Sequence, residues 1–300
     1  MTDQKNFAQA AQKLYPELER WWHQSARDFP WRFGKTTAWG VLLSEVMSQQ
    51  TPMTRVLPYW LNWMNVWPTP AHLAQSTPAE VITAWGTLGY PRRALRLREC
   101  AQAIVDQYEG KVPDTYDDLV ALPGIGDYTA SAVLAFHYHR RVAVIDTNIR
   151  RVLSRSLAGE ESRGGATTAQ EKRIAQATLP QDVQQSVTWN QATMELGATV
   201  CTAKNPQCAQ CPLESNCAFV AAGFPGLGEK RTRPKQSFQG TNRQVRGLIL
   251  KALRHAENHK LPYSAIQSVW ENRAQLDECI ASLDEDGLII IAEDHSLALP

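Results

Sequence analysis

Cys201, Cys208, Cys211 and Cys217 are separated by six, two and five intervening residues, and this cluster constrains the chain more than any other feature. Four thiolates on so short a loop can share one metal centre, while Cys100 and Cys279 lie isolated in helix-like surroundings. That distribution points to a metal site and away from a disulfide framework. Zinc also accepts four thiolates, but structural zinc sites usually pair two short knuckles across a longer spacer. The compact, asymmetric spacing fits a cuboidal 4Fe-4S cluster better. Such a centre needs no redox role. It can tie a loop into a rigid knob, on which Lys204 is placed to meet a phosphate.

Around the cluster the sequence reads as helices. Apolar residues recur at spacings of three and four in Leu42, Leu43, Val46, Met47 and in Leu95, Leu97, Ala101, Ile104, Val105. Pro68, Pro70, Pro78, Gly86, Gly89 and Pro113 punctuate the pattern, so the expected fold is mainly α. With 43% apolar residues, 300 residues can bury one large core or two. The opening stretch has no apolar core of a secretory signal and no later run approaches membrane-spanning length, so a cytoplasmic protein without a membrane partner is expected.

The net charge of +1 excludes little, because a nucleic-acid binder needs a basic face only where phosphates lie. Basic residues gather at Arg92, Arg93, Arg96 and Arg98, at Arg140, Arg141, Arg150, Arg151 and Arg155, and from Lys230 to Lys235. Each group reads equally as a solvated helix face or as a phosphate contact. Residues 223–243 have the composition of a basic linker. After it, a stripe of Val245, Leu248, Ile249, Ala252 and Leu253, a second of Leu276, Ile280 and Leu283, and two short apolar runs about Glu293–Ser296 suggest a small winged-helix-like α+β module over 244–300.

Between Leu122 and Ala130, Gly124 and Gly126 join two helical patterns through a tight turn whose following N–H groups suit an anion. Downstream, Val144-Ile145-Asp146-Thr147-Asn148 is an apolar approach to a carboxylate, which reads either as a helix N-cap or as a functional acid. Glu45, in Leu43-Ser44-Glu45-Val46-Met47-Ser48-Gln49-Gln50-Thr51, is a carboxylate in an otherwise apolar helix, either a surface residue or a functional one.

In their order along the chain, these motifs resemble the helix-hairpin-helix DNA glycosylases of the endonuclease III superfamily, over roughly residues 10 to 220. The resemblance implies a two-lobed fold with a catalytic region over 1–222, its six-helix lobe about 29–134 and its iron–sulfur lobe formed by 1–28 and 135–222. It implies that Gly124 and Gly126 hold a DNA phosphate, with a monovalent cation at the hairpin, and that Asp146 is catalytic. Lyases of the superfamily carry a nucleophilic Lys two residues after the second hairpin glycine; here that position is Tyr128, and a phenol cannot form a Schiff base.

The segment around Glu45 is similar to that of MutY-type adenine DNA glycosylases, which act without a lyase step. By that resemblance Glu45 is the second catalytic group, Tyr128 and Asn148 assist at the sugar, and Trp31, Arg32 and Gln191 form an adenine pocket. Trp31 reads equally as a core residue. Gln50, Thr51, Leu88 and Tyr90 match positions that wedge into DNA and touch the base opposite the adenine, 8-oxoguanine or guanine. A second tyrosine usual after Tyr90 is replaced by Pro91. The tail from Thr241 is too short for the oxoguanine-reading domain that many relatives carry.

The chemistry expected is protonation of adenine N7 by Glu45, its pKa raised by burial, with Asp146 ionised against the oxocarbenium-like sugar. The partner is double-stranded DNA with a mispaired adenine, bound by a monomer. Two alternatives remain: a lyase or thymine-mismatch glycosylase of the same superfamily, and a non-catalytic DNA-binding module.

Overall fold

The computed structural model describes residues 2–162, 164–229 and 238–300. The basic run Lys230 to Lys235 lies outside the described residues. The chain is mainly helical. Its helices are α1 (Thr2–Ser25), α2 (Ala38–Ser48), α3 (Met53–Val66), α4 (Pro70–Ala74), α5 (Pro78–Trp85), α6 (Arg92–Tyr108), α7 (Tyr116–Ala121) and α8 (Asp127–Phe136). They continue as α9 (Thr147–Leu153), α10 (Ala169–Thr178), α11 (Val183–Thr199), α12 (Ala218–Ala221), α13 (Asn242–His255), α14 (Tyr263–Ile266) and α15 (Arg273–Glu285). Among the described residues no helix is long and apolar enough to cross a membrane.

Local chemistry sets the helix starts. Thr77 with Glu80 and Thr168 with Glu171 form reciprocal capping boxes at α5 and α10. Asp146, Asp182, Thr241 and Asn272 each accept a backbone N–H at the starts of α9, α11, α13 and α15.

Contacts divide the chain into two compact units. The first contains Met1–Val41, Asp114–Val120 and Gly126–Thr232; the second contains Leu42–Pro113, Ala121–Ile125 and Arg233–Pro300. These boundaries differ from the lobes expected at 29–134 and at 1–28 plus 135–222. Helix α8 falls in the first unit because Ala132 and Ala135 are buried in the same core as Leu14, Leu18 and Trp22 of α1 and Ile149 of α9. Helix α11 is the axis of this unit, buried from Ser186 to Gly197 except at Gln191, so the polar side chains within that span need partners inside the protein. Its Asn190 accepts from the Val144 amide at 3.1 Å and donates to the Val142 carbonyl at 2.9 Å, so a buried amide bonded through both its oxygen and its nitrogen stitches the extended approach to Asp146 onto α11.

In the second unit, strands β1 (Lys260–Leu261), β2 (Ile290–Ile291) and β3 (Leu297–Ala298) form an antiparallel sheet in the order β1-β3-β2. With α13, α14 and α15 they complete a small helix–strand–helix–helix–hairpin arrangement. Sequence periodicity missed β1 and α14, which are too short to show a period. More consequentially, 244–300 has no core to itself. Ile82 of α5 sits in one cluster with Val245, Ile249, Leu276 and Leu283, and Ala79 and Leu95 pack against it.

Candidate functional site

Asp146 is the N-cap of α9, and it is also a half-buried carboxylate with both oxygens engaged. Oδ1 accepts from the Ile149 amide at 2.6 Å and Oδ2 from the Asn148 amide side chain at 2.7 Å. Asn148 in turn accepts from Arg151 Nη2 at 2.8 Å, so a cation stands one hydrogen bond behind the carboxylate. Burial pushes the Asp146 carboxyl above the usual carboxylate range, opposed by the Ile149 amide, the Asn148 side chain and Arg151. The N-cap reading of Asp146 thus holds, and burial outweighs the amide and the cation that favour its ionised form.

The seating of Asn148 depends on Gly197 of α11. A Cβ at residue 197 would lie 2.7 Å from Asn148 Cβ and 2.9 Å from its carbonyl oxygen, so the glycine is what lets α11 approach the start of α9. Gly197→Ala should destabilise the protein by about 1–3 kcal/mol. An unchanged denaturation midpoint would show that the two helices can separate freely. Tyr128, in the first turn of α8, is partly buried against this same core. Gln191 lies half-buried on α11.

The remaining pocket candidates are tied to a group that the sequence did not single out. Glu195 of α11, 1% exposed, accepts from Arg27 Nε at 2.6 Å and from Arg32 Nη2 at 2.7 Å. Arg32 also donates to the Arg27 carbonyl at 3.0 Å, and its guanidinium lies over Trp22 and Phe29. Phe29 and Trp31 are stacked with centroids 4.9 Å apart. Arg32, expected at an adenine edge, is therefore committed to Glu195, and Trp31 at 7% exposure is largely core. The two arginines hold the Glu195 carboxyl below the usual range despite its burial. A carboxylate on a fully buried helical face was the available signal, since such a charge needs a partner.

Glu45 lies in the second unit, on α2, with 7% exposure. At the C-terminal end of α2, Arg93 donates to the carbonyls of Val46 at 2.7 Å and Gln49 at 2.8 Å, and also to that of Gly89 at 3.1 Å. It thereby joins the segment after Glu45 to the turn Gly86–Tyr90. Side chains hold the carbonyls of this turn: Arg254 donates to Gly86, Arg55 to Thr87 and Trp85 Nε1 to Gly89 at 2.9 Å, while the one Thr51 hydroxyl hydrogen is shared between the carbonyls of Gln49 at 3.3 Å and Leu88 at 3.4 Å. Of the four expected wedge residues, Gln50 and Tyr90 are exposed, whereas Leu88 and Thr51 are buried at 4% and 9%. Leu88 is an internal support of this turn in the structure. Gln50 and Tyr90 hold positive φ of 55° and 49°, conformations uncommon outside glycine.

The arginine clusters are also partly spent inside the protein. Arg93 acts as described, Arg98 donates to Ser76 O, Arg141 to Pro180 O, and Arg150 to Glu171 and the carbonyls of Gly164 and Gly165. At the hairpin, Gly124 has φ +78° and no room for a Cβ, which would meet Arg96 Cβ at 2.9 Å. Gly126 caps α8 in an extended conformation open to any residue and meets nothing within 4 Å. Its lack of a side chain serves no internal packing, and it leaves the first amides of α8 approachable.

Cys201, Cys208, Cys211 and Cys217 line one pocket with Arg155 and Phe219. Arg155, 1% exposed, sits on a π-helical turn, Ser154–Ala158, that continues α9. It donates to Cys201 Sγ at 3.5 Å and to the carbonyls of Thr202 and Ala203, and pairs with Glu161 at 2.6 Å. Burial raises the Cys201, Cys208 and Cys211 thiols, Cys211 to about 12, so without metal they are protonated. Four convergent soft donors beside a buried cation fit an iron–sulfur cluster, whose thiolate-rich shell is anionic. Lys204 in the first spacer is exposed.

Comparison with known proteins agrees with this geometry. Residues 43–179 match the HhH-GPD superfamily base excision DNA repair protein model, and residues 201–217 match the iron-sulfur binding domain of endonuclease III. The chain therefore carries an iron–sulfur cluster on its four-cysteine loop. The fold is similar to a thermostable thymine-DNA glycosylase, with TM-score 0.63 and 22% identity over 71% of this chain and 97% of that one. The adenine DNA glycosylase of Mycobacterium tuberculosis is 43% identical over 94% of this chain and 92% of its own. That of Homo sapiens is 40% identical over 67% of this chain and 38% of its own. Since the adenine DNA glycosylase of Mycolicibacterium smegmatis is 45% identical across 94% of both chains, this chain belongs to the adenine DNA glycosylase family of base excision repair enzymes.

Proposed function

We propose that the protein excises adenine mispaired with 8-oxoguanine or guanine by hydrolysing the N-glycosidic bond, without a lyase step. The observation that carries the hydrolytic reading is the pair Asp146 and Tyr128. Asp146 is a carboxylate held by one backbone amide and one side-chain amide. Tyr128, at the start of α8, offers no amine for a Schiff base.

In this reading Glu45 protonates N7 of the adenine and afterwards handles the water, while Asp146 meets positive charge developing at C1′. Asn148 fixes the Asp146 carboxylate, and Tyr128 stands by the sugar. Trp31, Arg32 and Gln191 bound the base, with Arg32 acting through its tie to Glu195. Gly124, Gly126 and the α8 amides take a phosphate, with a monovalent cation at the hairpin. Gln50 and Tyr90, supported by Thr51 and Leu88, face the gap and the opposite base. Cys201, Cys208, Cys211 and Cys217 hold a 4Fe-4S cluster that makes their loop rigid, and the protein acts as a monomer.

The test is a panel of duplexes with adenine opposite 8-oxoguanine, guanine and cytosine, scored for abasic sites before and after alkali. Release opposite the first two, with strand breaks only after alkali, is expected. Breaks without alkali would establish a lyase, and no release from any duplex a non-catalytic binder. Anaerobically purified protein should be coloured and contain iron, and Cys211→Ser should lose both. A colourless protein containing zinc alone would refute the cluster.

A further inference from the structure

The turn Gly86–Tyr90 is held partly by the C-terminal module. Arg254, near the end of α13, donates to the Gly86 carbonyl. Arg243, in the first turn of α13, lies over the Tyr90 ring, 5.2 Å from its centroid. Both residues they hold are in constrained conformations. Gly86 has φ +54°, and a Cβ there would strike the Tyr59 ring at 2.9 Å; Tyr90 has φ 49°. Such a tyrosine backbone persists only when its surroundings over-determine it.

The module is anchored on both sides of this turn. Ile82 of α5 shares the module's core, and Leu95 of α6 packs against it. Arg92, at the start of α6, pairs with Asp286 at 3.1 Å, and Asp286 also accepts from Arg246 of α13.

The charges of the module argue that it faces protein and not phosphate. Helix α15, the one that a winged helix would lay in a DNA groove, bears Asp277, Glu278, Asp284 and Glu285 against Arg273. An acidic helix is repelled by a phosphate backbone. The basic helix α13 turns Arg243, Arg246 and Arg254 onto Tyr90, onto Ser282 with Asp286, and onto Gly86.

We infer that the C-terminal module is a specificity element: through Arg254 and Arg243 it fixes the Gly86–Tyr90 turn and so sets how Tyr90 meets the base opposite the excised adenine. Arg254 and Arg243 are positioning residues, and the inference rests on the proposed function of the turn. A displacement of a contact group by a fraction of an ångström is enough to change a rate severalfold or more.

The test uses the full chain. Single-turnover adenine release is measured from duplexes with adenine opposite 8-oxoguanine and opposite guanine, beside hydrogen exchange of the Thr87–Tyr90 amides in DNA-free protein. Arg254→Ala and Arg243→Ala should each change the ratio of the two rates, Arg254→Ala by about tenfold, and speed exchange in the turn. Arg254→Lys, which keeps one donor for the Gly86 carbonyl, should restore most of both. Arg246→Ala, which breaks contacts inside the module, should lower the melting temperature and leave the ratio unchanged. An unchanged ratio and exchange in Arg254→Ala overturn the inference, as does an equal change of ratio in Arg246→Ala, which would reduce the effect to destabilisation. A wild-type protein that releases adenine from neither duplex overturns the functional reading itself and the specificity claim with it, whereas the exchange result fails or holds independently.

Discussion

Asp146→Asn is expected to lower single-turnover adenine release by at least about a thousandfold while leaving duplex affinity near that of the wild type. Asparagine caps a helix as well as aspartate, so α9 should keep its start and the carboxylate charge alone is lost. The local cost is a donor facing a donor. The new amide meets Asn148 Nδ2, whose own oxygen is already used by Arg151. A variant that retained excision would remove Asp146 from the chemistry. Glu45→Gln should be equally inactive, because an amide cannot deliver a proton to N7.

The pH profile is a second check on Asp146. Its carboxyl titrates above the usual range because burial disfavours the charged form. As the acting form is the ionised one, release should fall on acidification at a pH above the ordinary aspartate value of about 3.9. A rate that stayed constant down to that value would contradict the role.

Glu195→Ala should produce the largest loss of stability of any single substitution at the polar groups described. Removing it strands two arginines, one of them buried, and breaking a buried ion pair from one side costs about 3–5 kcal/mol. Thermal unfolding should report a drop on the order of 10 °C. The pH dependence has a definite sign. The Glu195 pKa is lowered on folding by Arg27 and Arg32, so its stabilisation is complete above the unfolded value of about 4.3 and is lost as pH falls through the lower folded value. The stability gap between wild type and Glu195→Gln should therefore be level at neutral pH and close on acidification. A gap that widened toward acid would disprove the ion-pair account. Activity should fall along with stability, because Arg32 and the Phe29–Trp31 stack lose their anchor.

These cases separate two kinds of information. The cysteine loop, the hairpin glycine Gly124 and the Asp146 cap were legible in the sequence because each is a local device. Four thiols on one loop, a glycine where φ must be positive and a carboxylate three residues before the amide it accepts from are specified by spacing along the chain alone. Membership of the family followed from their order.

What spacing could not say was where each guanidinium or apolar side chain would point. Arg93, Arg98 and Arg150 read equally as phosphate contacts or solvated charge, and they donate to carbonyls inside the protein. An arginine carries the same five donors whichever acceptor it meets, so its sequence context does not distinguish a carbonyl from a phosphate. Leu88 matched a wedge and is core.

The cysteine cluster, hairpin and capped aspartate were thus determined by the sequence itself, through bonds closed within a few residues. Tertiary structure alone decided that Arg32 answers to Glu195, that Gly197 admits Asn148, and that the C-terminal module shares its core with α5. Those partners lie far apart along the chain and meet only when separate helices pack, which no local periodicity records.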